Sequence, residues 1–178
     1  MPPLLKPIEC AVLILTSAGE PSELDRDVTT GRTRIVRAAH LCNVPTFRAA
    51  REASHAACHD ADGASSEQQI YGPAMPGSPW AESPLGIALA KTGRNSLLIC
   101  GYWLDECITF TALNALGEGY DIFLLTDASP PLDNKKRHMA ILRLVQAGIV
   151  PTTTRQALRE WAAEIADTQQ RDELLALI

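Results

Sequence analysis

Short apolar runs that alternate with segments of helical period constrain this chain more than any other feature. Ala11-Val-Leu-Ile-Leu15 is apolar at every position, so a strand there must be covered on both faces. Ser96-Leu-Leu-Ile-Cys100 repeats that character, as does Tyr120-Asp-Ile-Phe-Leu-Leu-Thr126. Val44-Pro-Thr-Phe47, Gln69-Ile-Tyr71 and Ile149-Val150 read as shorter strands. A helical pattern ends near His40-Leu-Cys-Asn43, where the Asn suits a left-handed cap, and another over about 82–92 stops at Gly93. A third begins near Cys107, runs to Leu116 and closes at Gly117-Glu-Gly119. A fourth starts at about Asp133, carries Ile141, Leu142 and Val145 on one face and ends at Gly148. Thr153-x-x-Gln156 has capping-box spacing ahead of a helix whose apolar stripe is Leu158, Trp161, Ala162 and Ile165. Residues 50–69 have no clean period, and Gly72 to Trp80 is too dense in Pro and Gly for regular structure.

Strands that alternate with helices imply a parallel sheet with helices on both faces, because each parallel crossover needs a helix to return the chain. Such sheets bind ligands beyond the carboxyl ends of their strands. Attention therefore falls on Thr16-Ser17, on the segment after Phe47 and on Gly101 to Cys107. The 178 residues, 46% hydrophobic and 21% charged, suffice for one domain over 1–178 and are a tight fit for two. The apolar Leu174-Leu-Ala-Leu-Ile178 is expected to pack on the body or on a neighbouring subunit.

Sixteen Lys and Arg against twenty-one Asp and Glu give a net charge of −5, which argues against nucleic acid and anionic membranes as partners. The longest apolar stretch falls far short of the roughly 20 residues a spanning helix needs. Met1-Pro-Pro-Leu-Leu-Lys-Pro lacks the pattern of a secretory signal, so the expected location is the cytoplasm. The five cysteines have irregular spacings and no pattern of zinc ligands, so free thiols and no metal or cofactor are expected.

Cys107 is the thiol with a physical case for chemistry. It follows a strand and the turn Gly101-Tyr-Trp-Leu-Asp-Glu106, at the start of a helix whose amides and dipole favour an anion. The same amides suit the oxyanion formed when a thiolate attacks a carbonyl. Cys100, inside the strand, is the inert thiol. A thiolate nucleophile also needs a proton acceptor. The residues available for this are Glu20 and the loop histidines His55 and His59, while Asp105 and Glu106 oppose a neighbouring thiolate.

Gly101-Tyr-Trp-Leu-Asp-Glu-Cys107-Ile-Thr-Phe-Thr-Ala-Leu-Asn-Ala-Leu-Gly-Glu-Gly-Tyr120, followed by Leu125-Thr-Asp-Ala-Ser129, resembles the nucleophile segment of the isochorismatase-like cysteine hydrolases. The resemblance extends back through Trp80 and Ala90-Lys-Thr-Gly-Arg94, and forward through His138 and Gln146-Ala-Gly148. It implies a three-layer α/β/α sandwich with a six-stranded parallel sheet, a homo-oligomer and a small-molecule substrate. It implies Cys107 as nucleophile, backbone amides of Trp103 and Cys107 as oxyanion donors, and a cis peptide between Tyr102 and Trp103. Trp80, Tyr102 and Trp103 would line the substrate.

The departures from the pattern bear on activity. Thr16 stands where active members carry an Asp, Met75 aligns where they carry a Lys, and Leu104 replaces a usual Thr. Thr16 is no base near neutral pH and Met75 has no charge. General acid–base catalysis is typically worth about 10²–10⁴-fold, so ordinary amide hydrolysis should be impaired. Two readings follow. One is a divergent cysteine hydrolase acting on a small amide or related carbonyl compound. The other is a pseudoenzyme that keeps the fold to bind a small molecule or to assemble.

Overall fold

The computed structural model describes residues 5–16, 26–50, 70–71 and 79–178. Six parallel strands, β1 (Cys10–Thr16), β2 (Thr46–Ala50), β3 (Ile70–Tyr71), β4 (Ser96–Gly101), β5 (Asp121–Leu125) and β6 (Val150–Thr152), lie in the order β3-β2-β1-β4-β5-β6. β3 is a two-residue edge, so five strands carry nearly all the pairing. Among the described residues six α-helices accompany them: α1 (Arg26–Leu41), α2 (Pro84–Ala90), α3 (Thr109–Gly117), α4 (Arg137–Ala147), α5 (Thr154–Glu164) and α6 (Thr168–Leu175). The chain moves outward from β1 in one direction and then returns to β4 and moves outward in the other. The strand order thus reverses between β1 and β4, the kind of switch point at whose carboxyl ends parallel α/β sheets form their ligand crevice.

Alternation along the strands divides the core in two. Ala11, Leu13 and Leu15 join Leu97 and Ile99 under Leu85 and Leu89 of α2, Ala112 and Ala115 of α3 and Leu144 of α4. Cys10, Val12, Ile14, Leu98 and Cys100 face the other way, onto Ile35, Ala38 and Ala39 of α1, Leu158 and Trp161 of α5 and Leu174 of α6. The result is the expected α/β/α layering around a parallel sheet, and every β1 residue is buried. The terminal segment packs on the body, with Leu174 buried and Leu177 and Ile178 against the same cluster.

Local signals set most boundaries. Asn43 ends the α1 region at φ +53°, and Gly148 caps α4 at φ +104°. Thr153 Oγ accepts from Gln156 N–H at 3.2 Å to start α5. Three expectations are corrected. β2 begins at Thr46 rather than Val44, because Val44 N–H closes the helix end on Ala39 O (2.8 Å) and Pro45 O accepts from Val12 N–H. β6 begins at Val150, because Ile149 N–H is still bonded to Leu144 O at 3.0 Å. The inward face of α4 is Ala140, Ile141 and Leu144, whereas Leu142 and Val145 are exposed beside Met139. The expected stripe does not form one face because consecutive residues of an α-helix point about 100° apart, so Leu142 diverges from Ile141, and Ile141 turns inward with Leu144.

Gly101 is the position where no side chain fits: its φ is +121°, and a Cβ there would lie 1.9 Å from Leu15 O. Gly101→Ala is expected to cost about 3 kcal/mol, read as a lower urea midpoint at unchanged slope. Gly117→Ala, with nothing within 4 Å of its Cβ position, should instead stabilise α3 by up to about 1 kcal/mol.

Candidate active site

Close approach at Gly101 lets β4 run on past β1, and Tyr102 N–H donates to Leu15 O at 2.9 Å. The Tyr102–Trp103 peptide bond is cis. The chain then enters a wide π-helical turn, Leu104–Ile108, that continues directly into α3. The helical segment therefore starts at Leu104, three residues before the expected start near Cys107, and Cys107 sits inside its first turn. The turn is pinned from several sides. Leu104 N–H donates to Pro130 O at 2.9 Å, Glu106 and Ile108 N–H to Trp103 O at 3.1 Å, and Thr109 Oγ to Leu104 O at 2.6 Å. Asp105 carboxylate accepts from Leu132 N–H at 2.7 Å, which commits it to the segment after β5. Trp103 N–H has no acceptor among the described residues.

Cys107 is half-buried and packs against the core cluster beneath α2, α3 and α4. Thr16 ends β1 in the adjacent strand; it is buried, and its hydroxyl donates to Ala49 O at 3.4 Å. Trp103 is half-buried, with its ring edge-on to Tyr102 at 4.9 Å between centroids. Trp80 and Tyr102, at 4% and 1% exposure, are enclosed by protein. Met75, Ser17, Glu20, His55, Cys58 and His59 lie outside the described residues. Thr16 thus ends β1 beside the end of β4, from which the turn that carries Cys107 departs.

The thiols differ sharply in environment. Burial pushes Cys100 up to about 12 from an ordinary 9.0, even though Arg32 and Arg48 act to lower it. Burial also pushes Cys10 up to about 12. Sequence reasoning missed Arg32 on α1, whose guanidinium lies 5.3 Å from the centre of the Tyr102 ring, and Arg48 on β2, which acts with it on Cys100. It also missed Asp127, whose carboxylate accepts from Thr154 N–H at 2.9 Å and from the Thr154 hydroxyl. The available signal was a lone Arg in the run after Thr46, legible only once the β2 register is known.

Residues 76–156 match the family model described as Isochorismatase domain. Over 69 residues the chain is 41% identical to the probable hydrolase YcaC of Escherichia coli, which covers 39% of this chain and 33% of that protein. Over 76 residues it is 30% identical to the secreted isochorismatase effector Isc1 of Phytophthora sojae, covering 43% and 36%. These matches span about a third of the length of the curated relatives. Among solved structures, the E. coli YcaC gene product, an octameric hydrolase of unknown specificity, aligns with TM-score 0.75 at 24% identity over 98% of this chain and 90% of that one. The MAR1 ribonuclease of Caenorhabditis elegans aligns with TM-score 0.78 at 18% identity over 98% and 92%. The fold is that of the isochorismatase-like proteins, an α/β sandwich around a parallel sheet. Over residues 76–156, less than half of its length, the chain is similar to the isochorismatase domain. Among the described residues no helix is long and apolar enough to cross a membrane.

Burial and exposure set the order of thiol reactivity. Iodoacetamide at pH 8 should modify Cys107 roughly tenfold or more faster than Cys10 or Cys100, read by peptide mass mapping. The buried thiols also carry a sign. Each is harder to ionise folded than unfolded, so its contribution to stability is complete below about pH 9 and is lost as pH rises toward about 12. The urea midpoint should fall over that window, and Cys100→Ala should make the fall shallower.

Proposed function

We propose that this chain is a divergent cysteine hydrolase in which Cys107 is the nucleophile toward a small amide or related carbonyl compound. The observation that carries the reading is the placement of a half-buried Cys107 in a pinned helical turn that departs from the end of β4, beside an amide, Trp103 N–H, with no protein acceptor among the described residues. In the proposed step the Cys107 thiol loses its proton to solvent and the sulfur's electron pair bonds to the carbonyl carbon. The carbonyl π pair moves to oxygen, where Trp103 N–H donates to it. Collapse re-forms the C=O, breaks the bond to the leaving group and leaves a thioester that water hydrolyses.

Thr16 separates two classes of substrate. An amine leaving group must take up a proton as its bond breaks, and a threonine hydroxyl bonded to Ala49 O is no acid for that purpose. An activated ester leaves as a stable anion and needs no proton. The proposal therefore assigns the chain fast acylation by activated carbonyls and slow turnover of amides. Thr16 also supports a second reading, retention of the fold for binding without turnover. Met75 at the usual Lys position, and Trp80, Tyr102 and Trp103 around a small-molecule ligand, belong to the same proposal. So do a single domain over 1–178, residence in the cytoplasm and assembly with copies of itself, for which the octameric E. coli neighbour is the precedent.

The test uses two probes. 4-Nitrophenyl acetate should give a burst of nitrophenolate equal to the protein present, abolished in Cys107→Ala. 4-Nitroacetanilide should be turned over little by the native chain and about ten- to a hundredfold faster by Thr16→Asp, which supplies an acid–base group at the end of β1. A burst that survives Cys107→Ala refutes the nucleophile. A native chain with no burst, but with saturable small-molecule binding, favours the non-catalytic reading.

A further inference from the structure

The segment after β5 holds the turn that carries Cys107 from outside, and that segment is poor in donors of its own. Leu104 N–H donates to Pro130 O at 2.9 Å, and Leu132 N–H donates to the Asp105 carboxylate at 2.7 Å. Pro130 and Pro131 have no N–H, so the stretch from Ser129 to Leu132 cannot be fixed by a ladder of internal hydrogen bonds. A single 3-10 turn, Thr126–Ala128, precedes it. That turn is anchored on the β6 side, where the Thr126 hydroxyl donates to Thr152 O at 2.9 Å and Thr154 N–H to the Asp127 carboxylate at 2.9 Å. Arg137, the first residue of α4, closes it from the other side. Its Nη2 donates to Thr126 O at 2.6 Å and its Nη1 to Ser129 O at 3.1 Å. One planar group thus ties the two ends of the 3-10 turn together, and its second acceptor belongs to the residue just before Pro130.

We propose that Arg137 is a positioning residue for Cys107, acting through Ser129 and Pro130 on the Leu104 end of the turn rather than on the sulfur itself. The proposal rests on the reading of Cys107 as nucleophile and adds the residue that sets where the sulfur stands. A guanidinium suits the task because its N–H groups leave a rigid plane in fixed directions, so two carbonyls are held at a set separation. A lysine ammonium is a point charge on a flexible stem and imposes no such separation. The base of the fork is itself fixed. Arg137 is half-buried, and Ile141 and Leu144 of the same helix pack in the core cluster against which Cys107 lies. Leu104, at the receiving end, is fully buried, so a shift of Pro130 O passes into the turn instead of being absorbed by solvent.

The experiment compares Arg137→Met and Arg137→Lys with the native chain in the burst with 4-nitrophenyl acetate. Misplacing a reacting group by about 1 Å costs on the order of 10²-fold, so Arg137→Met should slow the burst at saturating ester about ten- to a hundredfold. The half-saturating ester concentration should change much less, and Arg137→Lys should recover part of the rate. Ile35→Val, which opens the core on the opposite side of the sheet, should lower the urea midpoint and leave the burst rate unchanged. Residue-resolved amide exchange reads the relay without any reaction. Leu104 N–H should exchange about tenfold or more faster in Arg137→Met, relative to Val12 N–H on Pro45 O. A folded Arg137→Met with native burst rate and native Leu104 exchange overturns the proposal, as does a rate loss no greater than that of Ile35→Val. If the native chain gives no burst, or one that survives Cys107→Ala, the nucleophile reading fails separately and Leu104 exchange alone decides whether Arg137 holds the turn. If Arg137→Met does not fold, Arg137→Lys carries the same comparison.

Discussion

The hydrogen bond from Tyr102 N–H to Leu15 O holds the end of β4 against the end of β1, and the course of the turn that carries Cys107 follows from it. It forms only because Gly101 brings its backbone against Leu15, at a distance no Cβ permits. From that contact the chain turns away from the sheet and starts the helical segment that carries Cys107. The turn is then fixed from the far side by Pro130 O and Leu132 N–H, which arrive on the segment after β5. Three pieces of chain distant in sequence therefore determine where one sulfur lies.

The two faces of the sheet divide the chemistry as well as the core. On the α2–α4 side the strands bury plain apolar residues, and Cys107 meets them half-exposed. On the α1 side the strands carry Cys10, Cys100, Thr16 and Arg48 among their apolar neighbours. A charged residue in a central part of a parallel sheet costs desolvation unless it is matched by other groups.

Much of this was legible in the sequence, for physical reasons that also mark where legibility stops. Unbroken apolar runs such as Ala11–Leu15 have one favourable environment, a strand covered on both sides, so the layering could be read directly. Asn43, Gly148 and Thr153 act locally through their own backbone or side chain, and the helix ends they mark are found where expected. The α4 face is less legible, because apolar residues stand on two sides of that helix and only packing decides that Ile141 and Leu144 turn inward while Leu142 and Val145 stay exposed. The resemblance carried by Gly101–Tyr120 drew attention to the turn that carries Cys107, but not to the clamp on Asp105 or the arginines. Those depend on register between strands far apart in the chain.

The outer strand β6 is three residues long and has Pro151 at its centre. Proline has no N–H to offer, and a strand so short leaves little ladder beyond it. An incoming β-strand would find a broken row of donors there, while Met139, Leu142 and Val145 stand exposed on the helix alongside. Contacts made at that margin of the molecule are consequently matters of side-chain packing, and the sheet is protected from growing by accretion.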